Sequence, residues 1–332
     1  MEKNIQVGKG LSACFRKLGQ INHQNSDLQQ GTLPHSENSR HQDSSTIHED
    51  DMAKAKSAKR GASSESTSTV SMKIDKRGVA TVTIDRPERN NAYNGQMIEE
   101  LLAGAQALAT NDKARVVVIR GNGRHFQAGA DLAWIQSVRK QDLAHNLEVS
   151  RKTTDAVHGL TRLGKPTIAM IHGGCFGGGT GIASACDIVL ADRSAIFSIT
   201  EARWGLIATP IVPQLLSRIG PGRLRRYALT CERFGADRAQ EIGLVDEVCD
   251  TGGLDDLAAP IIDALLHCPP QALAETKEAI LKYGDLHFSD AELDDMVRPH
   301  GMKRLDAEAD EGLKSFLEKR EPDWYPMPKK RK

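Results

Sequence analysis

The sequence holds no C-x-x-C pair; its six cysteines, Cys14, Cys175, Cys186, Cys231, Cys249 and Cys268, are scattered. That spacing offers neither a zinc site nor a disulfide framework, so no metal is expected and the thiols read as those of a reduced, cytoplasmic protein. No apolar run approaches the ~20 residues that span a bilayer. The N-terminus lacks the apolar core of a secretory signal. Neither sign of charge is in excess, because 44 Lys and Arg balance 44 Asp and Glu. A net charge of zero argues against bulk capture of nucleic acid or an anionic membrane. There is no G-x-x-x-x-G-K-[ST], and no G-x-G-x-x-G with an acidic residue at dinucleotide spacing, which removes support for ATP and NAD. No internal repeat is visible.

What is present divides sharply near residue 72. Residues 1–70 are rich in Ser, Gln, Asn, His and Lys, with no lasting hydrophobic periodicity, and are expected to be disordered. Met52 and Met72 are alternative starts, which leaves open whether the segment upstream of them belongs to the working protein. An organellar targeting role is weakened by Asp50 and Asp51. Beyond it, VATVTID (79–85) alternates as a strand and ends in the turn RPERNNAYN. MIEELLAGAQALAT (97–110) has helical apolar spacing, and RVVVIRG (115–121) is a buried-strand run. A helix is expected over roughly 142–163, a second buried strand in KPTIAMIHGG (165–174), and a small-residue helix in GIASAC. DIVLA and AIFSI read as strands, and the pattern is mostly helical from 214 onward. The fold class expected is α/β, with helices gathered toward the C-terminus.

Two glycine-rich loops each follow a buried strand and precede a helix: GNGRHFQAGAD (121–131) and HGGCFGGGTG (172–181). Glycine brings backbone amides close to a ligand, and the first amides of a helix are unpaired and partly positive. Two such loops meeting at one point would make an oxyanion hole, where one donor is worth roughly 3–4 kcal/mol of transition-state stabilisation. Tight strand–helix packing would also explain these glycines.

Taken in order, five segments resemble the enoyl-CoA hydratase/isomerase, or crotonase, family over about 72–325. They are VATVTIDRPERNNAY, FQAGADL, KPTIAMIHGGCFGGGTGIASACDI, AIFSITEARWGLI and ADRAQEIGLVDEV. The resemblance implies a spiral of β-β-α turns with a C-terminal helical region, as trimers often paired into hexamers. It divides the chain into a disordered extension (1–71), a core (72–265), a helical oligomerisation region (266–325) and a basic tail (326–332). The implied substrate is an acyl-CoA thioester, with coenzyme A part of the substrate and no separate cofactor. Ala130 and Gly178 match the residues whose amides hold the thioester oxygen. Asp131, Leu132 and Ala133 match the stretch lining the CoA groove, and Glu201 matches the second of the two hydratase glutamates.

At the position of the first family glutamate this sequence has Gly181. Hydration needs a base for water and an acid for the α-carbon, normally two carboxylates; here Glu201 is expected to do both. Members acting on 3-methylglutaconyl-CoA and isohexenylglutaconyl-CoA are similar here, reading G-G-G-V-G-L and G-A-D-L-x-W-M against GGGTGI and GADLAWI. Their I-P-A-T-I-S-P-Y-V is also similar to IATPIVPQL (207–215), with Pro, Ala and Thr in a different order. The function expected is therefore a hydro-lyase for a branched or glutaconyl-type acyl-CoA. An isomerase or thioester hydrolase of the same family is the alternative, and a catalytically weak acyl-CoA- or RNA-binding paralogue a third.

The remaining candidates have plainer readings. His125 and His172 are expected to be hydrogen-bonded structural residues, and Cys175 and Cys186 core fillers. Trp134, Trp204 and Tyr93 are read as packing. Thr200 and Thr209 flank the expected pocket, and Arg86 or Arg89 is a candidate for CoA phosphates. AKAKSAKR (53–60) and the terminal MPKKRK are read as solvated basic segments, since a few charges bind nucleic acid only weakly.

Overall fold

Strand β3 (Val116–Gly121) and strand β4 (Thr167–Ile171) are the centre of the protein, and their sequences show why. In both, alternate side chains enter different cores: Val117, Ile119, Ala169 and Ile171 on one face, Val116, Val118, Ile168 and Met170 on the other. A strand covered on both faces has no polar side, hence the unbroken apolar runs. The structure, a computed structural model, describes residues 68–284 and 288–324. AKAKSAKR, MPKKRK, Met52 and nearly all of the extension lie outside those residues.

β1 (Val70–Ile74) pairs antiparallel with β2 (Val79–Ile84); β2, β3, β4, β6 (Ile188–Asp192) and β9 (Glu247–Cys249) then follow in parallel as one six-stranded sheet. A second sheet joins β5 (Gly174–Phe176), β7 (Ile196–Ser198) and β8 (Phe234–Gly235). Between them run α1 (Gly95–Ala109), α2 (Leu132–Arg139), α3 (Leu143–Thr161), α4 (Gly178–Ala185), α5 (Val212–Thr230), α6 (Ala236–Glu241) and α7 (Leu254–His267). α8 (Pro270–Tyr283), α9 (Asp290–Lys303) and α10 (Ala307–Glu318) complete the described chain. None of its helices is long and apolar enough to cross a membrane.

Strands β5, β8 and β9 were not expected from the sequence, and β1 and α2 also differ from it. β1 begins at Val70, inside the stretch expected to be disordered; only Val70 of its five residues is buried, so it carries no alternating pattern. α2 is an additional helix, started by Asp131, whose side chain accepts from the amides of Ala133 and Trp134. The C-terminal helices also do more than face outward. α9 packs on α3 and α10 on the Glu201–Trp204 turn of their own chain, while α8 leaves Ile280 and Tyr283 exposed.

Parallel strands release their loops at the same end of a sheet, the usual place for a site in α/β proteins. The loops after β2, β3 and β4 therefore emerge together. In the small sheet β5 and β7 are likewise parallel, with Phe176 opposite Ser198. Gly178, two residues past Phe176, and Glu201, three past Ser198, are brought to one place by that register.

Candidate active site

The two glycine loops are stitched edge to edge. The amide of Phe126 donates to the His172 carbonyl, Gln127 to Gly174 and Phe176 to Gln127, at 2.9, 3.1 and 2.9 Å. The fully buried Gln127 side chain grips its own loop, accepting from the Gly129 amide at 2.9 Å and donating to the Gly129 carbonyl at 3.2 Å. Gly129 has φ of +86° and Gly177 φ of +49°, conformations an L side chain rarely adopts, so both bends depend on glycine.

Tyr93 ties the two ends together. It forms a parallel bridge with Ala130: the Tyr93 amide donates to the Gly129 carbonyl and the Asp131 amide to the Tyr93 carbonyl, both at 2.9 Å. Those bonds use the peptide groups flanking Ala130 and turn the Ala130 N–H to the opposite side. The Tyr93 ring also lies against Gly178, where a Cβ would stand 2.6 Å from Cε1. Ala130 and Gly178 thus both meet one residue, Ala130 through the Tyr93 backbone and Gly178 through the Tyr93 ring. Among the described residues neither amide has an acceptor, and Gly178 is the first residue of α4, whose start has no side-chain cap. Gly129, Gly177 and Gly179 are buried, whereas Ala130 and Gly178 remain partly exposed.

Glu201 stands beside the second loop. A Cβ on Gly177 would lie 3.0 Å from Glu201 Oε1 and 3.0 Å from Thr200 Oγ1. Glu201 Oε2 is buried with no hydrogen-bond partner. Burial pushes the Glu201 carboxyl up to about 7, opposed in part by the backbone amides of Glu201 and Thr200. The Tyr93 phenol, also raised by burial to about 12, feels both Glu201 and the Arg304 guanidinium.

At Gly181 a Cβ would collide with the side-chain methyl of Ile211, which is 3% exposed. The departure from the two-glutamate pattern is therefore built into the packing, because Ile211 fills the space a longer side chain would need.

The other candidates have definite surroundings. Asp131 Oδ1 caps α2, and Oδ2 accepts from Arg86 Nη1 at 2.9 Å, so Arg86 clamps this loop and its guanidinium is engaged there. Leu132 and Ala133 open α2 just past the Ala130 bend; Arg89 lies on the exposed turn Pro87–Arg89. His125 Nδ1 accepts from the Gly174 amide at 2.8 Å, and His172 Nε2 lies 2.9 Å from the Gly123 carbonyl. Cys175 and Cys186 are buried, which raises both thiols. Thr209 Oγ1 donates to the Met296 carbonyl and anchors α9. Trp134 meets Tyr93 edge-on and Trp204 meets Phe316. No group of three or more potential metal ligands occurs among the described residues.

Sequence reasoning passed over Arg304, which is 1% exposed at the end of α9. Its signal was a helical repeat, Leu293, Val297, His300 and Arg304, all buried. That spacing places a charged residue on an inward stripe.

Two unpaired amides at glycine bends, with a buried carboxyl beside the second, are an arrangement suited to stabilising an oxyanion or enolate. The model of the Enoyl-CoA hydratase/isomerase family matches residues 75–326. The chain belongs to this family and is an enzyme of it. It is 32% identical over 251 residues to 1,2-epoxyphenylacetyl-CoA isomerase of Escherichia coli, covering 75% of this chain and 95% of that one. It is 30% identical to 2,3-dehydroadipyl-CoA hydratase of the same organism, over 74% of this chain and 94% of that one. The crystal structure of an enoyl-CoA hydratase from Shewanella pealeana superposes with a TM-score of 0.63 at 33% identity, covering 77% of this chain and 96% of that one.

Proposed function

We propose that this enzyme adds water across the 2,3-double bond of an acyl-CoA thioester, with Glu201 as its single acid–base group. The observation that carries the reading is the unpartnered, buried Oε2 of Glu201 beside Gly177, one residue from a glycine whose amide also lacks an acceptor. The thioester oxygen accepts from the Ala130 and Gly178 amides. Glu201 takes a proton from water as its oxygen bonds to the β-carbon, and the alkene electron pair moves onto the thioester oxygen as an enolate. The proton then passes from Glu201 to the α-carbon. Asp131, Leu132 and Ala133 border the approach of the CoA portion.

The acyl group is of branched or glutaconyl type, a reading supported by GGGTGI and GADLAWI and by the loss of the first glutamate at Gly181. A lone carboxylate also suits a 1,3-proton shift, which keeps a 3-enoyl-CoA isomerase as the second reading. The assembly is a homotrimer or hexamer, supported by the exposure of Ile280 and Tyr283 on α8 and of Leu229 on α5.

Incubation with crotonyl-CoA, 3-methylglutaconyl-CoA and a 3-enoyl-CoA, with products analysed by mass spectrometry, tests the proposal. A gain of one water on a 2-enoyl thioester is the expected result. Conversion of the 3-enoyl substrate at unchanged mass, with no hydrated product from any 2-enoyl thioester, would replace hydratase by isomerase.

A further inference from the structure

We infer that Thr180 and Gln127 are positioning residues: each holds the carbonyl of a peptide group whose N–H donates to the thioester oxygen, and so aims that donor. The inference rests on the reading above and extends it from the two amides to the side chains that fix them.

A trans peptide group is planar, and its C=O and N–H point in opposite directions, so fixing the carbonyl fixes the amide. The described residues contain no cis peptide bond. The Gly178 N–H shares its peptide group with the Gly177 carbonyl. That carbonyl accepts from Thr180 Oγ1 at 2.7 Å and from the Thr180 amide at 2.9 Å. The Ala130 N–H shares its group with the Gly129 carbonyl, which accepts from Gln127 Nε2 at 3.2 Å and from the Tyr93 amide at 2.9 Å. Gln127 Oε1 in turn accepts from the Gly129 amide at 2.9 Å, so one side chain holds Gly129 by both its polar groups. Thr180 and Gln127 are both fully buried. They meet at Gly179, where a Cβ would stand 2.7 Å from Gln127 Oε1; the bare glycine leaves room for the clamp.

The clamps act where the backbone is softest. Gly129 and Gly177 both have positive φ, and a glycine lets the peptide group that follows it rotate with little steric resistance. Such a rotation would turn the donor N–H away from the ligand. At the start of α4 three successive glycines, Gly177, Gly178 and Gly179, carry no side chain to prevent it, and Gly177 supplies no cap. Threonines in helices commonly donate to a carbonyl one turn back; here the carbonyl that Thr180 meets is that of the donor peptide. A hydrogen bond to a peptide carbonyl also polarises the group and strengthens its N–H as a donor. Both effects grow with the negative charge on the ligand oxygen, so they favour the enolate over the bound thioester.

The test reads the ligand carbonyl itself, by infrared difference spectroscopy of butyryl-CoA, a saturated and unreactive thioester, isotope-labelled at its carbonyl and bound to the full-length enzyme. Wild type should draw the band below its frequency in free butyryl-CoA. Thr180→Val removes the hydroxyl and Gln127→Leu the amide; each should return the band toward the free value, while Thr180→Ser keeps it displaced. In both variants kcat on the best-used 2-enoyl-CoA should fall about tenfold or more, with KM changed less than about threefold. Thr180→Ala and Gln127→Met take the place of a first-choice variant that does not fold. A band still fully displaced in a folded variant at either position overturns the proposal, even where stability is lost, since that is the mark of a purely structural side chain. No displacement in wild type overturns it together with the oxygen-holding role of the two amides. Displacement that the variants abolish, without hydration of any 2-enoyl thioester, supports the clamps and removes only the reaction assigned to Glu201.

Discussion

The central sheet and the seam between α3 and α9 are both buried, yet they are made of opposite materials. Around β3 and β4 the enclosed side chains are Val116, Val118, Ile168, Met170 and Leu190, with nothing to satisfy but van der Waals contact. Along α3 the enclosed residues at every fourth position are Asn146, Ser150, Thr154 and His158, facing a helix that contributes His300 and leads into Arg304. Two of those polar atoms, Asn146 Oδ1 and Arg304 Nε, are buried without a hydrogen-bond partner. A region that exists to hold the fold is apolar and saturated. A region that leaves hydrogen-bonding capacity unspent carries a cost in stability.

That contrast can be broken at its strong end first. Ile168→Ala, at a fully buried position of β4, should destabilise the protein by about 2–5 kcal/mol through lost burial and the cavity left behind. The urea unfolding midpoint reads this directly; an unchanged midpoint would mean the sheet is not the stabilising half.

Glu201→Gln should move stability the other way, with a pH dependence. Burial raises the Glu201 pKa from 4.5 to about 7, so folding favours its protonated form. That favourable contribution is complete below about pH 4.5 and is lost as pH rises through about 7. At one pKa unit per about 1.4 kcal/mol, the neutral variant should be more stable than wild type by a few kcal/mol at pH 8. The two proteins should converge near pH 4; melting curves at both pH values check it. The smallest effect belongs to Ser150→Ala. It removes one hydrogen bond to Arg304 and should cost about 1–2 kcal/mol, visible as a small shift of the same urea midpoint.

How much of this was legible in the sequence follows the same division. RVVVIRG and KPTIAMI announced β3 and β4 because a strand buried on both faces has an unmistakable composition. The glycine loops and Glu201 were legible as motifs, and the parallel register that brings Gly178 and Glu201 together follows once the strands are placed. β1 was not readable, since four of its five side chains face solvent. The reason Gly181 lacks a side chain was not readable either, because Ile211 approaches it from thirty residues away through tertiary packing. Arg304 was hidden by its type: a basic residue near the end of a helix ordinarily belongs to the surface, and its inward register appears only when Leu293, Val297 and His300 are taken with it.

The pH profile of kcat/KM for hydration of the best-used 2-enoyl-CoA, in wild type and in Glu201→Gln, bears most directly on the role proposed for Glu201. Wild type should rise with one ionisation near pH 7 and level off above it. The variant should be lower by about 10²–10⁴, with that ionisation gone. A variant that keeps wild-type turnover and the same rise near neutrality would show that some other group moves the proton.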